Sequence, residues 1–190
     1  MPTTIVLVRH GETDWNRDSR FQGHADIPLN EVGRGQAREL AGLLAGEPIN
    51  TVYTSSLRRA SETADIVAEA LGLHALPLDA LREIDVGTWE GLTIDEVKSR
   101  FPEHVDWRSG WEEGENYEDV SARVIPALLG LGVQHPDEQV LGVTHAGPIR
   151  AALAFAMGLS DEEARPLIGP LRNCSVFRFA LRGDILERVD

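Results

Sequence analysis

The sequence predicts an α/β fold, a three-layer α/β/α sandwich around a mostly parallel central sheet. Three observations predict it. Ile5-Val6-Leu7-Val8 is a short unbroken apolar run of β-branched character, the pattern of a strand buried on both faces. Gln139–Thr144 (Q-V-L-G-V-T) reads as a second buried strand, and Thr51–Thr54 and Ala75–Leu78 as two more. Capped helical segments lie between these runs, and strands alternating with helices over the whole length favour parallel pairing. The chain is read as one domain over residues 1–190, long enough for a substantial core.

Composition narrows the partners. There are 31 acidic and 18 basic side chains, a net charge of −13, so the surface repels phosphate backbones and nucleic acid is not expected as a partner. No apolar run approaches about 20 residues, so no membrane span is expected either. The single Cys174 excludes an intramolecular disulfide and suits a reducing compartment, with the cytoplasm as the default location. The six histidines show no metal-ligand spacing, so neither metal nor cofactor is expected. Nothing in the sequence sets an oligomeric state.

The elements follow in order. After the first strand, Glu12 to Ile27 reads as a long polar loop, and long loops are often functional. Asn30 is a suitable N-cap for a helix over Glu31 to Ala45, whose first turns Gly33 and Gly35 weaken and which Gly46 and Pro48 end. After the strand at Thr51–Thr54, Ser55 or Ser56 can cap a helix from Leu57 to Leu71, closed by Gly72. Thr93 and Glu96 form a capping box for a helix reaching Arg100. Residues 102–115, with Trp107, Gly110, Trp111 and Gly114 among charges, read as an irregular segment over a pocket. Asn116 caps a helix through Leu131 with a kink expected at Pro126. Pro148 suits the first turn of a helix ending at Met157. Ser175–Leu181 and Ile185–Val189 read as a strand pair joined by the turn at Arg182-Gly183-Asp184.

The chemistry-bearing residues sit where strands end. The first strand stops at Arg9, His10 and Gly11: a permanent cation, an imidazole, and a residue that lets backbone N–H groups approach an anion. His10, Arg59, Glu83 and His145 each follow a different predicted strand, which in a parallel sheet puts them on one edge. Arg58 and Arg59 lie in the first turn of a helix, where cations are unfavourable unless an anion sits just outside. A phosphoryl group in flight needs cations and N–H donors around its oxygens. A histidine can take it covalently, and a carboxyl can protonate the leaving oxygen and then activate water. Glu83 suits that last role; Glu12, Asp85 and Glu90 are rival carboxylates nearby.

Four stretches then show a resemblance. L-V-R-H-G-E-T-D-W-N (7–16), R-A-S-E-T-A (59–64), L-R-E-I-D-V-G-T-W-E-G (81–91) and T-H-A-G-P-I-R (144–150) resemble, in order, the motifs of the histidine phosphatase superfamily, also called phosphoglycerate mutase-like. The resemblance implies a phosphoglycerate mutase-like fold and a small phosphorylated substrate. It implies that His10 becomes the phosphohistidine, that Arg9, Arg59 and His145 complete the phosphate pocket, and that Glu83 is the proton donor. Asn16 matches a further phosphate contact, and Thr13 and Gln22 fall where substrate or phosphate contacts are made. The compact chain and its R-E-I-D-V-G-T-W-E-G stretch look like the phosphatase branch rather than a mutase, which would return the phosphoryl group to substrate. The intact residue set weighs against a non-catalytic binding module. His24, in the loop after the nucleophile, is the one other histidine placed to touch substrate.

Overall fold

The computed structural model describes residues 2–103 and 113–189. The segment expected to be irregular, with His104, Trp107, Gly110 and Trp111, lies mostly outside the described residues. A six-stranded sheet has the order β3-β2-β4-β1-β5-β6. In chain order the elements are β1 (Thr3–Arg9), α1 (Asp14–Arg17), α2 (Glu31–Leu44), β2 (Ile49–Thr54), α3 (Arg58–Leu71), β3 (Ala75–Pro77), α4 (Ile94–Arg100), α5 (Tyr117–Gln134), β4 (Gln139–Thr144), α6 (Ala146–Met157), α7 (Asp161–Ile168), β5 (Val176–Arg182) and β6 (Ile185–Arg188). The strands β3, β2, β4 and β1 run parallel, whereas β5 pairs antiparallel with both β1 and β6.

The alternation of β1 explains the layers. Ile5 and Leu7 point into one core with Val120, Val124 and Leu128 of α5 and Ile149 and Leu153 of α6. Val6 and Val8 point into the other, with Leu40 and Leu44 of α2 and Ala64 and Val67 of α3. All four β1 side chains are fully buried, which is why the run is apolar throughout rather than every second residue.

Local differences from the sequence reading have identifiable causes. The loop after β1 contains α1, because Thr13 closes a capping box: its hydroxyl accepts from Asn16 N–H while the Asn16 side chain accepts from the Thr13 N–H. The N-cap of α3 is Leu57, with no side-chain cap; Ser55 and Ser56 lie before it. The α7 helix carries its own capping box, from Ser160 to Glu163. Gly33 is less a weak helix residue than a necessary one. A Cβ there would stand 2.1 Å from the Glu12 carbonyl oxygen, and one at Gly11 would stand 2.5 Å from that of Gly33. The two glycines let α2 press against the turn that carries His10.

Candidate active site

The carboxyl edge of the parallel strands gathers the expected residues. His10 leaves β1, its backbone N–H bonding the Thr144 carbonyl at the end of β4 at 2.9 Å. Its Nδ1 lies 2.7 Å from the Gly11 carbonyl oxygen. A carbonyl only accepts, so Nδ1 carries the proton and the Nε2 lone pair is left free. The Gly11 N–H is not offered to an anion as its sequence position suggested: it bonds Thr63 Oγ1 at 3.1 Å. The glycine's service is the close approach to α2 instead.

His145 follows β4, its ring centroid 5.1 Å from that of His10. Arg59 Nε donates to His145 Nδ1 at 3.2 Å, so Nε2 holds the proton and lies 2.8 Å from Ser55 Oγ. Both ring nitrogens are thereby engaged with protein. Arg59, on the first turn of α3, is wholly buried. Its terminal nitrogens bond the carbonyls of Gly23 and Ala25 at 2.8 Å each, leaving a hydrogen on each of them for an incoming acceptor. Its neighbour Arg58 is a surface residue paired with Glu62 at 2.8 Å. The anion outside this helix is Asp26, whose carboxylate accepts the Arg58 N–H at 2.8 Å.

Arg9 donates through Nη1 to the Leu171 carbonyl, and its buried Nε meets no acceptor among the described residues. Asn16 is oriented by its neighbours. Its Oδ1 accepts from Thr13 N–H, Thr13 Oγ1 and Asn173 Nδ2, each at 3.2 Å, which turns the Nδ2 hydrogens outward as donors. Thr13 is fully buried, and its hydroxyl lies 3.0 Å from Gln22 Oε1. The structure therefore places Thr13 and Gln22 as supports of the turn around Asn16.

Glu83 follows β3 after a 3₁₀ turn at Asp79–Leu81. Its carboxylate accepts from the N–H groups of Ile84 (3.0 Å), Ala146 (3.2 Å) and Gly147 (2.8 Å), the latter two at the N-terminus of α6. Gly147 has to be glycine, since a Cβ would stand 2.5 Å from Glu83 Oε1. The rival carboxylates have other work. Glu12 accepts from Asn30 Nδ2 at 2.9 Å, Asp85 from the Gly87 N–H at 2.9 Å, and Glu90 from the N–H groups of His24 and Ala25 at 2.6 and 2.9 Å. His24 Nε2 bonds the Glu83 carbonyl at 2.8 Å, so this histidine supports the acid-bearing segment from behind.

Two supports were not identifiable from the sequence. Arg123 of α5 bonds the carbonyls of Ala80, Arg82 and Glu83 at 2.8, 2.8 and 2.9 Å and forks onto Glu115 at 2.7 and 2.9 Å. Its one visible signal is a lone cation between Val120 and Val124 on a buried helix face. Asn173, just before β5, donates to the His10 carbonyl at 2.9 Å as well as to Asn16. No periodicity marks it, because its partners lie across the fold.

Electrostatics follow from burial. Desolvation, then Arg59 and Arg9, hold the His10 imidazole well below its ordinary value, with the Gly11 bond opposing. His145 is lowered for the same first reason, then by Arg59 and His10. Burial pushes the Arg59 guanidinium down to about 10, partly offset by Glu83, so it remains a cation at neutral pH. Burial raises the Cys174 thiol to about 12, which leaves it unreactive. Among the described residues no three His, Cys, Asp or Glu side chains converge to hold a metal ion.

A neutral imidazole with a free Nε2 beside Arg9 and Arg59, with a carboxylate on the same sheet edge, is an arrangement that can take up a phosphoryl group. The chain belongs to the histidine phosphatase superfamily (branch 1), whose family model matches residues 5–188. It is 36% identical over 160 residues to the phosphatase PhoE of Bacillus subtilis, covering 84% of this chain and 80% of that one. It is 36% identical over 163 residues to phosphoserine phosphatase 1 of Hydrogenobacter thermophilus, covering 82% and 76%. The solved mycobacterial glucosyl-3-phosphoglycerate phosphatase in complex with VO3 superposes with a TM-score of 0.89 at 31% identity, over 98% of this chain and 96% of that one. The expected fold and enzyme class, a histidine phosphatase, are thus met.

Asn173→Ala removes one donor from two acceptors, the His10 carbonyl and Asn16 Oδ1. We expect a stability loss of about 1–3 kcal/mol. The accompanying fall in kcat should exceed that in Asn16→Ala folded to the same extent, because the turn that carries His10 is itself loosened. Unchanged kcat in a folded Asn173→Ala would show that this bond positions nothing, and denaturant melts beside steady-state assays provide the comparison.

Proposed function

We propose that the protein hydrolyses phosphomonoesters of small metabolites through a covalent phosphohistidine on His10, with Glu83 as general acid. The observation that carries this reading is the bond from His10 Nδ1–H to the Gly11 carbonyl, which leaves Nε2 as a lone pair in a cationic pocket. Arg9, Arg59 and the outward Nδ2 of Asn16 receive the phosphoryl oxygens; His145 holds Arg59 and flanks the nucleophile. In the first step Nε2 bonds to phosphorus as the ester P–O bond breaks, and the leaving oxygen takes its proton from the Glu83 carboxyl. In the second, Glu83 accepts a proton from water while that water's oxygen attacks phosphorus. The N–P bond then breaks and phosphate leaves. Arginines aimed at the oxygens stabilise the charge that develops in both steps.

Support for small phosphorylated metabolites comes from the relatives, which include a phosphoserine phosphatase and a glucosyl-3-phosphoglycerate phosphatase. The reading treats the chain as one domain, acting in the cytoplasm, where a lone half-buried thiol stays reduced. The acidic surface supports small-molecule rather than nucleic-acid partners. No helix among the described residues is long and apolar enough to cross a membrane.

Rapid-quench labelling with a 32P-labelled substrate tests the nucleophile. Acid-labile, alkali-stable label should appear on the wild type and vanish in His10→Ala; label that survives the substitution overturns the assignment. The acid is tested by leaving group. Glu83→Gln should slow alkyl phosphates by about 10²–10⁴-fold, and p-nitrophenyl phosphate, whose leaving group hardly needs a proton, far less. A uniform loss across leaving groups would remove Glu83 from the role.

A further inference from the structure

Glu83 stands on an irregular stretch of chain. Between β3 and α4 the backbone makes two 3₁₀ turns, Asp79–Leu81 and Gly87–Trp89, and Glu83 lies in neither. No ladder of helix or strand bonds fixes it there, so its backbone groups have to be met from elsewhere in the chain. Every carbonyl from Ala80 to Glu83 is met in this way. Thr144 Oγ1, one residue before His145, donates to the Leu81 carbonyl at 2.6 Å. Arg123 takes the other three: Nη1 donates to the carbonyls of Ala80 and Arg82, and Nη2 to that of Glu83.

Glu115 completes the arrangement. Its carboxylate takes the remaining hydrogens of Arg123, from Nε at 2.7 Å and from Nη2 at 2.9 Å, so all five guanidinium hydrogens are accounted for. Glu115 Oε2 also accepts the Asp85 N–H at 3.0 Å, and the Glu115 N–H donates to the Asp85 carbonyl at 2.9 Å. Burial alone would raise the Glu115 carboxyl, but the Arg123 bond and the Asp85 N–H outweigh it and hold it below its ordinary value. The pair therefore stays ionised at neutral pH. Backbone is gripped on both sides of the acid, at residues 80–83 and again at Asp85.

We propose that Arg123, held by Glu115, is the positioning residue of the general acid: it fixes the Glu83 backbone so that the carboxyl meets the leaving oxygen. Arg123 has no hydrogen left for substrate and acts only through Glu83. Three carbonyls and a carboxylate surround one planar fork, and the three hydrogens of a lysine ammonium cannot serve them all. This inference rests on the phosphatase reading and adds what gives its acid a fixed place. A guanidinium that only tied the segment to α5 would matter equally for every substrate. One that aims the acid matters most where the leaving oxygen most needs a proton.

The test compares leaving groups by kcat/KM, which includes the step that breaks the ester bond. Arg123→Lys should lower kcat/KM for alkyl phosphates by about 10–100-fold, as expected for a catalytic group displaced by about 1 Å. For p-nitrophenyl phosphate the loss should be far smaller. Glu115→Gln, which keeps an oxygen for the Asp85 N–H but gives up the charged fork, should show the same selective loss more weakly. On a Glu83→Gln background Arg123→Lys should cost alkyl phosphates little more, because there is no acid left to aim. Should Arg123→Lys fail to fold, Glu115→Gln alone and on that background decides. Equal losses across leaving groups, no loss, or an undiminished further loss on the Glu83→Gln background overturns the positioning role and leaves Glu83 as the acid. A uniform loss in Glu83→Gln itself would instead overturn the acid assignment, and this inference with it.

Discussion

The hydrogen bond between His10 Nδ1 and the Gly11 carbonyl is the interaction on which the rest of the site depends. It sets the tautomer, aims Nε2 away from the backbone, and exists only because the turn after β1 bends back tightly. That bend is possible because Gly11 and Gly33 have no Cβ, so α2 can lie against it. It is held from the other side by Asn173, which bonds the His10 carbonyl, and by the Cys174 N–H, 2.9 Å from the Arg9 carbonyl. One imidazole orientation thus draws on α2, the approach to β5 and the end of β4 together.

The second constraint is the burial of positive charge. Arg59 is fully buried, and unpaired buried cations are costly. The chain offsets this largely with backbone carbonyls: those of Gly23 and Ala25 for Arg59, and that of Leu171 for Arg9. Carbonyls orient a guanidinium without neutralising it, so its charge remains available to a phosphoryl group. Where neutralisation does no harm, as at Arg123 behind the acid-bearing segment, a carboxylate partner is used instead. Burial first, and this field second, hold both imidazoles well below their ordinary value.

What the sequence revealed was what depends on local pattern. The unbroken apolar run of β1, the Asn30 and Asn116 caps and the Thr93–Glu96 capping box each announce their element within a few residues, and the four motifs mark His10, Arg59, Glu83 and His145 at strand ends. The α1 helix was hidden because Thr13 and Asn16 read as loop polarity, although they close a capping box. Ser55 resembled a helix cap but is spent on His145 and on the Leu57 N–H. Gly11 was rightly expected to need freedom, yet the reason is a neighbouring helix rather than an anion. Asn173 could not be read at all, and Arg123 showed only as a lone cation on a buried helix face, since each acts on carbonyls or side chains distant in sequence.

The central claim, a neutral His10 with its lone pair on Nε2, can be observed without substrate. 15N NMR of protein labelled at histidine nitrogens, titrated downward from neutral pH and assigned by comparison with His10→Ala, reports tautomer and charge directly. The account predicts a protonated Nδ1 and an unprotonated Nε2 on His10, persisting as pH falls through the ordinary histidine value of 6.5. A proton on Nε2 in the free enzyme, or a ring already cationic at that pH, would contradict it.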